Sequence, residues 1–215
     1  MKIKSTEDLV TNVVKARLQR NQNWLCVITG DTGTGKSFSS LRLGSLVDED
    51  FRIENVVFDI KELIDLIEVR PPGSLLVLDE AGISFGSRDF MSKQNKVMSS
   101  VIQMFRFKQI ALIWTLPDIS MIDIQARRLM HNFLETQPID YKKEQTRVKW
   151  FEVYIDRWTG EFRHRFMKVE TGNMGFAVVK VVNFNKPSED LIKSYEKKKK
   201  QAFENLLSTA RNKLR

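Results

Sequence analysis

Three groups of side chains in this sequence have the types and spacing to handle a nucleoside triphosphate. The first is Gly30-Asp31-Thr32-Gly33-Thr34-Gly35-Lys36-Ser37, followed by Phe38. Its glycines let the backbone curl until several N–H groups point at one centre, and the helix that starts there adds unpaired N–H groups and a positive dipole end. Lys36 then reaches the outer phosphates, and the Ser37 hydroxyl ligates Mg²⁺. The second group is Asp79-Glu80, directly after the apolar run Leu75-Leu76-Val77-Leu78. Asp79 is expected to support the Mg²⁺ coordination sphere and Glu80 to act as the base that orients and activates water. The third group is more scattered. Thr115 ends the apolar run from Ile110, placing a hydroxyl where it reports on the γ-phosphate or orients the water. Arg127 and Arg128 read either as a pair favoured by a helix C-terminus or as a cation reaching a neighbouring subunit's γ-phosphate, with Arg88 or Arg106 as substitutes. The chemistry implied is Mg²⁺-dependent hydrolysis of ATP to ADP and phosphate.

Two rival chemistries share part of this pattern. Asp79-Glu80-Ala81-Gly82 also fits the aspartate-any-any-glycine pattern of GTPases. The guanine-reading counterpart would be Asn185-Lys186-Pro187-Ser188, which has serine where a carboxylate should accept from guanine N–H groups. It also lies just before the terminal helix, away from any apolar strand run. A small-molecule kinase could share the loop, but no acceptor pocket is recognisable, and adjacent acidic residues suit water activation better.

Positioning these groups requires a parallel sheet. Strands are expected at 24–29, 55–58, 75–79, 110–115 and 132–137, with helices from Ser5 to Arg20, Phe38 to Val47, Lys61 to Val69, Met91 or Ser92 to Phe107, and Met121 to Met130. Uninterrupted apolar strands suit a sheet buried on both faces, and ligands bind at the carboxyl ends of such strands. The first helix reads as packing against the sheet edge. From Thr146 the period becomes two: Val148, Trp150, Glu152 and Tyr154 share one face, a turn falls at Asp156 to Gly160, and a return strand runs to Val169, with one further strand from Phe176 to Val182. Ser188 then caps a terminal helix whose apolar stripe includes Leu191, Ile192 and Tyr195, and whose Lys197–Lys200 run is expected to be exposed. The fold class is α/β, divided as 1–140 for the core with its N-terminal helix, 141–186 for a β-hairpin extension of the same domain, and 187–215 for a basic helix.

The 215 residues, 42% hydrophobic and 29% charged with a formal net charge of +8, suit one α/β domain biased toward anionic partners. Cys26 is the only cysteine, so an intrachain disulfide is excluded. His131 and His164 are too few for a histidine-rich metal centre. With no secretory apolar region and no apolar run long enough to span a bilayer, a cytoplasmic location without membrane insertion is expected. Between Lys142 and Lys168 stand eight basic and four acidic side chains. With Trp150, Trp158 and Phe162 available for stacking, that ribbon reads equally as a DNA contact or an oligomer contact.

The combination ITGDTGTGKS, SLLVLDEAG, QMFRFKQIALIWTLPDISMIDIQARRLMHNF and PSEDLIKSYEKKK resembles the additional-strand, catalytic-glutamate division of P-loop ATPases, over about residues 22–200. More narrowly it is similar to small archaeal ATP-binding proteins of viral and plasmid origin, to the zonula-occludens-toxin-like ATPases of filamentous phages, and more distantly to HerA and FtsK motors. The resemblance implies a P-loop sandwich with parallel core order 5-1-4-3-2, carrying the β-hairpin extension and terminal helix. It further implies a homo-oligomer, such as a hexamer, acting on DNA during packaging or transfer. By the same carry-over Lys36 and Ser37 bind triphosphate and Mg²⁺, Asp79 supports the metal and Glu80 is the base. Thr115 stands at the polar sensor, where HerA and FtsK motors more often have glutamine. The phage proteins carry a membrane span that is missing here, which argues against autonomous extrusion. The alternative partner is a viral or plasmid protein gripped under nucleotide control.

Overall fold

The computed structural model describes residues 5–79, 100–102, 105, 107–171 and 175–213. Glu80, Arg88 and Arg106 lie outside the described residues, with most of the expected 91–107 helix.

Strands β1 (Trp24–Thr29), β3 (Leu75–Leu78) and β4 (Ala111–Thr115) are buried at every position. They pair in parallel, with β2 (Val56–Val57) beyond β3 and β5 (Asn132–Thr136) on the far side of β1. Alternate residues face opposite layers. Trp24, Cys26 and Ile28 point toward α1 (Thr6–Gln19) and α2 (Lys36–Val47), whereas Leu25 and Val27 point toward α3 (Ile60–Val69) and the helical residues Val101, Ile102 and Phe105. Two apolar layers on one sheet make a three-layer α/β/α sandwich. Each fully buried aliphatic or aromatic side chain contributes about 1.5–3 kcal/mol to that arrangement.

The sheet order is β2-β3-β4-β1-β5-β6-β7-β8, with β9 paired to β6. Read from β5, the five parallel strands run 5-1-4-3-2, and among the described residues they belong to one nine-stranded mixed sheet rather than standing beside a separate hairpin. The cause is β6 (Gln145–Ile155), which pairs antiparallel with β5 along Val148–Glu152 and extends the same hydrogen-bonded surface. The other edge of β6 is shared. Its second half pairs with β7 (Phe162–Thr171) and its first half with β9 (Val181–Asn185).

The strand expected from Phe176 to Val182 is two strands, β8 (Gly175–Val179) and β9, because the chain changes partner from β7 to β6 across Lys180. The helix expected from Met121 to Met130 is also broken. Asp118 caps a 3-10 turn at Ile119–Met121 and Asp123 caps the single turn α4 (Ile124–Arg127), each by accepting a backbone N–H two residues on. Such local side-chain bonds compete with a continuous helix.

Helix α1 lies on a face of the sheet, not at its edge. Ser5 caps it through the Asp8 N–H at 3.1 Å, and Val10 and Val14 enter the core beside Trp24. Glu7, 4% exposed, ties it down with a 2.7 Å ion pair to Arg42 on α2 and hydrogen bonds from Asn185 at the end of β9. Burial opposes the Glu7 charge, but the bonds from Arg42 and Asn185 outweigh it and hold the carboxyl below the usual glutamate range. Among the described residues no helix is long and apolar enough to cross a membrane.

Candidate functional site

The glycine-rich loop leaves the end of β1 and opens α2 at Lys36. Gly33 and Gly35 have φ of 79° and 88°, and Gly35 occupies the N-cap of α2 in the left-handed region. Conformation is only half the reason for glycine at Gly35. A Cβ there would stand 2.6 Å from the Thr146 hydroxyl, and one at Gly30 would stand 2.0 Å from the Thr136 hydroxyl. Strands β5 and β6 thus press against the underside of the loop. Thr136 also bridges it, lying 2.6 Å from the Thr34 hydroxyl and donating to the Thr29 carbonyl at 3.0 Å. Asp31, Thr32 and Gly33 form the exposed crown. At the helix start, N–H groups have no carbonyl ahead of them in the helix and suit an anion.

Lys36 is buried, and its ammonium donates to the Gly30 carbonyl at 2.7 Å and the Asp31 carbonyl at 2.9 Å. The lysine is therefore held across the loop itself. Phe38 is half-buried and packs against the core.

Asp79 follows β3 and is 0% exposed. Its N–H donates to the Val57 carbonyl, which continues the β2–β3 pairing to this residue. Three hydroxyls converge on its carboxylate. Ser37 lies 3.0 Å from Oδ1 and 3.1 Å from Oδ2, Thr115 donates to Oδ1 at 2.6 Å, and Tyr195 donates to Oδ2 at 2.6 Å. The Lys199 ammonium stands 3.8 Å from Oδ2. Ser37 and Asp79 present oxygen donors only, facing each other at the loop–helix junction, which fits a hard cation such as Mg²⁺.

The structure thus brings Ser37, Asp79 and Thr115 together. It places Arg127 and Arg128 elsewhere. They precede β5, and the neighbouring His131 N–H bonds Leu25 near the start of β1, so both arginines lie at the end of the sheet opposite the glycine loop. Arg127 donates to the Ile122 carbonyl at 2.8 Å and Arg128 to the Gly160 carbonyl at 2.9 Å.

Sequence reasoning missed Tyr195 and Lys199, which come from the terminal helix α5 (Glu189–Lys213). Tyr195 reads as one apolar position in a stripe. The signal was its hydroxyl, because a buried tyrosine needs a partner for that group. The expectation that the whole Lys197–Lys200 run is exposed is also corrected. Lys198 is half-buried and donates to the Ile53 and Val56 carbonyls at 3.3 and 2.5 Å, and burial pulls its ammonium below the usual lysine range. A long aliphatic stem lets a lysine lie across the domain and still find acceptors.

The antiparallel half departs from expectation in its aromatic and basic groups. Trp150 is 0% exposed and stacks on Trp24 with centroids 6.2 Å apart, so it offers nothing to a base; Trp158 is 96% exposed. Arg163 pairs with Asp156 and Glu161, and Arg165 with Glu152. Asn185, read as remote from any strand, ends β9, and its side chain is engaged by Glu7 and Gln145. Cys26 is fully buried, and burial pushes its thiol well up.

No family model matches the sequence, and no curated protein does. Among solved structures, the N-terminal domain of zonular occludens toxin from Neisseria meningitidis aligns with 68% of this chain and 95% of that one, at a TM-score of 0.38 and 16% identity. At that TM-score no residue role carries across.

Proposed function

We propose that this chain is a P-loop ATPase that binds ATP with Mg²⁺ and transfers the γ-phosphoryl group to water. The observation that carries the reading is the buried Asp79 carboxylate facing the Ser37 hydroxyl at 3.0 Å, where a positive-φ glycine loop opens a helix. Asp79 and Ser37 would hold the cation, which supplies charge shielding to the phosphates when bound. Lys36 exchanges its loop carbonyls for phosphate oxygens, and Thr115 keeps Asp79 oriented. Glu80, the next residue in the chain, is proposed as the base. ATP is preferred to GTP because the Asn185 amide is used within the protein. The test is ATP binding and turnover with and without Mg²⁺ in wild type and Glu80→Gln. Binding should survive in the variant while turnover falls by two orders of magnitude or more, in the range of general-base contributions of about 10²–10⁴. Full turnover in Glu80→Gln removes Glu80 from the base role.

For what hydrolysis drives, the proposal is an oligomeric motor on DNA, supported by the net charge of +8. The position of Arg127 and Arg128 away from their own loop suits action in a neighbouring subunit's site. A second reading, a nucleotide-controlled protein-interaction module, is favoured by the ion-paired Arg163 and Arg165 and the buried Trp150. ATPase rate and direct binding with single- and double-stranded DNA at low and physiological salt separate the two, since backbone binding weakens steeply with salt. Neither binding nor stimulation at low salt leaves the module.

A further inference from the structure

We propose that Tyr195 is a positioning residue for Asp79, so that the terminal helix supplies part of the cation site from outside the loop and strand motifs. The inference rests on the nucleotide–Mg²⁺ reading above. The Asp79 carboxylate is fully buried, so water does not orient it. Its two oxygens are anchored separately, Oδ1 by Thr115 from β4 and Oδ2 by Tyr195 from α5, each at 2.6 Å. Both bonds have the short length of a hydroxyl on a carboxylate. Ser37 spans both oxygens at 3.0 and 3.1 Å, and it is the hydroxyl that turns to a cation. Thr115 and Tyr195 then hold the carboxylate through its two different oxygens. Lys199 is a poorer anchor at 3.8 Å with a side chain 38% exposed, since such a pair is screened by solvent.

Tyr195 is itself mounted firmly. The residue is 4% exposed, and its ring packs against Phe58 with centroids 6.1 Å apart. One turn further along α5, Lys198 bonds the Ile53 and Val56 carbonyls. Val56 begins β2, whose next residue, Val57, accepts the Asp79 N–H. Helix and carboxylate are therefore registered to the same sheet edge. Partners that orient a ligating group typically change metal affinity 10–100-fold when removed.

The experiment uses the full chain and Tyr195→Phe, which keeps the ring and deletes the hydroxyl. ADP is titrated by calorimetry in EDTA, and, after exchange into EDTA-free buffer containing ADP, MgCl₂ is titrated into the complex. Binding stoichiometry in EDTA counts folded protein, so partial unfolding does not distort the comparison. The expected result is ADP affinity in EDTA within about twofold of wild type, with half-saturating Mg²⁺ raised about tenfold or more. A merely structural tyrosine would weaken both steps together. Half-saturating Mg²⁺ within about twofold of wild type, or lowered, overturns the positioning role. Wild type that binds ADP without any response to Mg²⁺ overturns the parent reading, and this inference with it.

Discussion

The parallel and antiparallel halves of the sheet use the same kinds of residue for opposite ends. In the parallel half, polar groups at strand ends point at one place: Thr115 follows β4's apolar run, Asp79 follows β3, and the glycine loop follows β1. In the antiparallel half, several charges pair among themselves, as in Arg165 with Glu152 at 3.1 Å and Arg163 with Asp156 at 3.4 Å. The difference follows from connection geometry. Parallel strands all release their chain at one edge, so their ends converge, whereas antiparallel strands alternate and scatter theirs. The antiparallel half still serves the site, because Thr146 of β6 stands beneath the loop beside Thr136 of β5, and Trp150 locks β6 to β1.

Substitutions can sharpen that division. The largest effect on stability is expected from Trp150→Ala, which should cost about 3–5 kcal/mol by emptying the joint between the halves. A chemical denaturation midpoint measures it. A loss under 1 kcal/mol would mean that the halves are held together elsewhere. Lys36→Ala should do the reverse, weakening ATP binding about a hundredfold, since losing a charged partner costs about 2–5 kcal/mol, while leaving the denaturation midpoint nearly unchanged. Calorimetric titration with ATP checks the first part, and unfolding curves check the second.

Glu7→Gln tests the tie between α1, α2 and β9, with an expected loss of about 2 kcal/mol near neutral pH. The Glu7 carboxyl is held below its ordinary value of 4.5, so its charge stabilises the fold above that pH and the contribution is lost as pH falls through the depressed folded value. The difference between wild type and Glu7→Gln should be constant above about pH 5.5 and shrink below about 4.5, as followed by thermal unfolding across pH. The smallest effect is expected from reversing Arg163 and Arg165 to glutamate. Exposed pairs are worth about 0–1 kcal/mol, so stability should barely move. DNA binding that collapses in this variant would give the antiparallel half a function of its own and undo the division.

The glycine loop, the acidic strand end and the five parallel strands were legible in the sequence because each is a local pattern. A glycine-rich turn between an apolar strand and a helix, or four apolar residues before Asp79, declares its chemistry within a few residues. The alternation in 148–166 was equally readable as strands. It did not reveal that β6 would join β5, or that β7 and β9 would share one edge, since pairing partners are chosen over long separations by which surfaces must be buried. The 121–130 stretch misled because Asp118 and Asp123 bond their own backbone and break a helix that the apolar spacing favoured.

What the sequence determined by itself is the chemistry available at the loop, Ser37 and Asp79. Only the tertiary structure decided what surrounds them. Tyr195 stands 116 positions from Asp79, and Thr136 stands 102 from Thr34. No local period links such pairs, because a hydroxyl reaches a buried carboxylate only after separate elements have packed and excluded the water that would otherwise satisfy both.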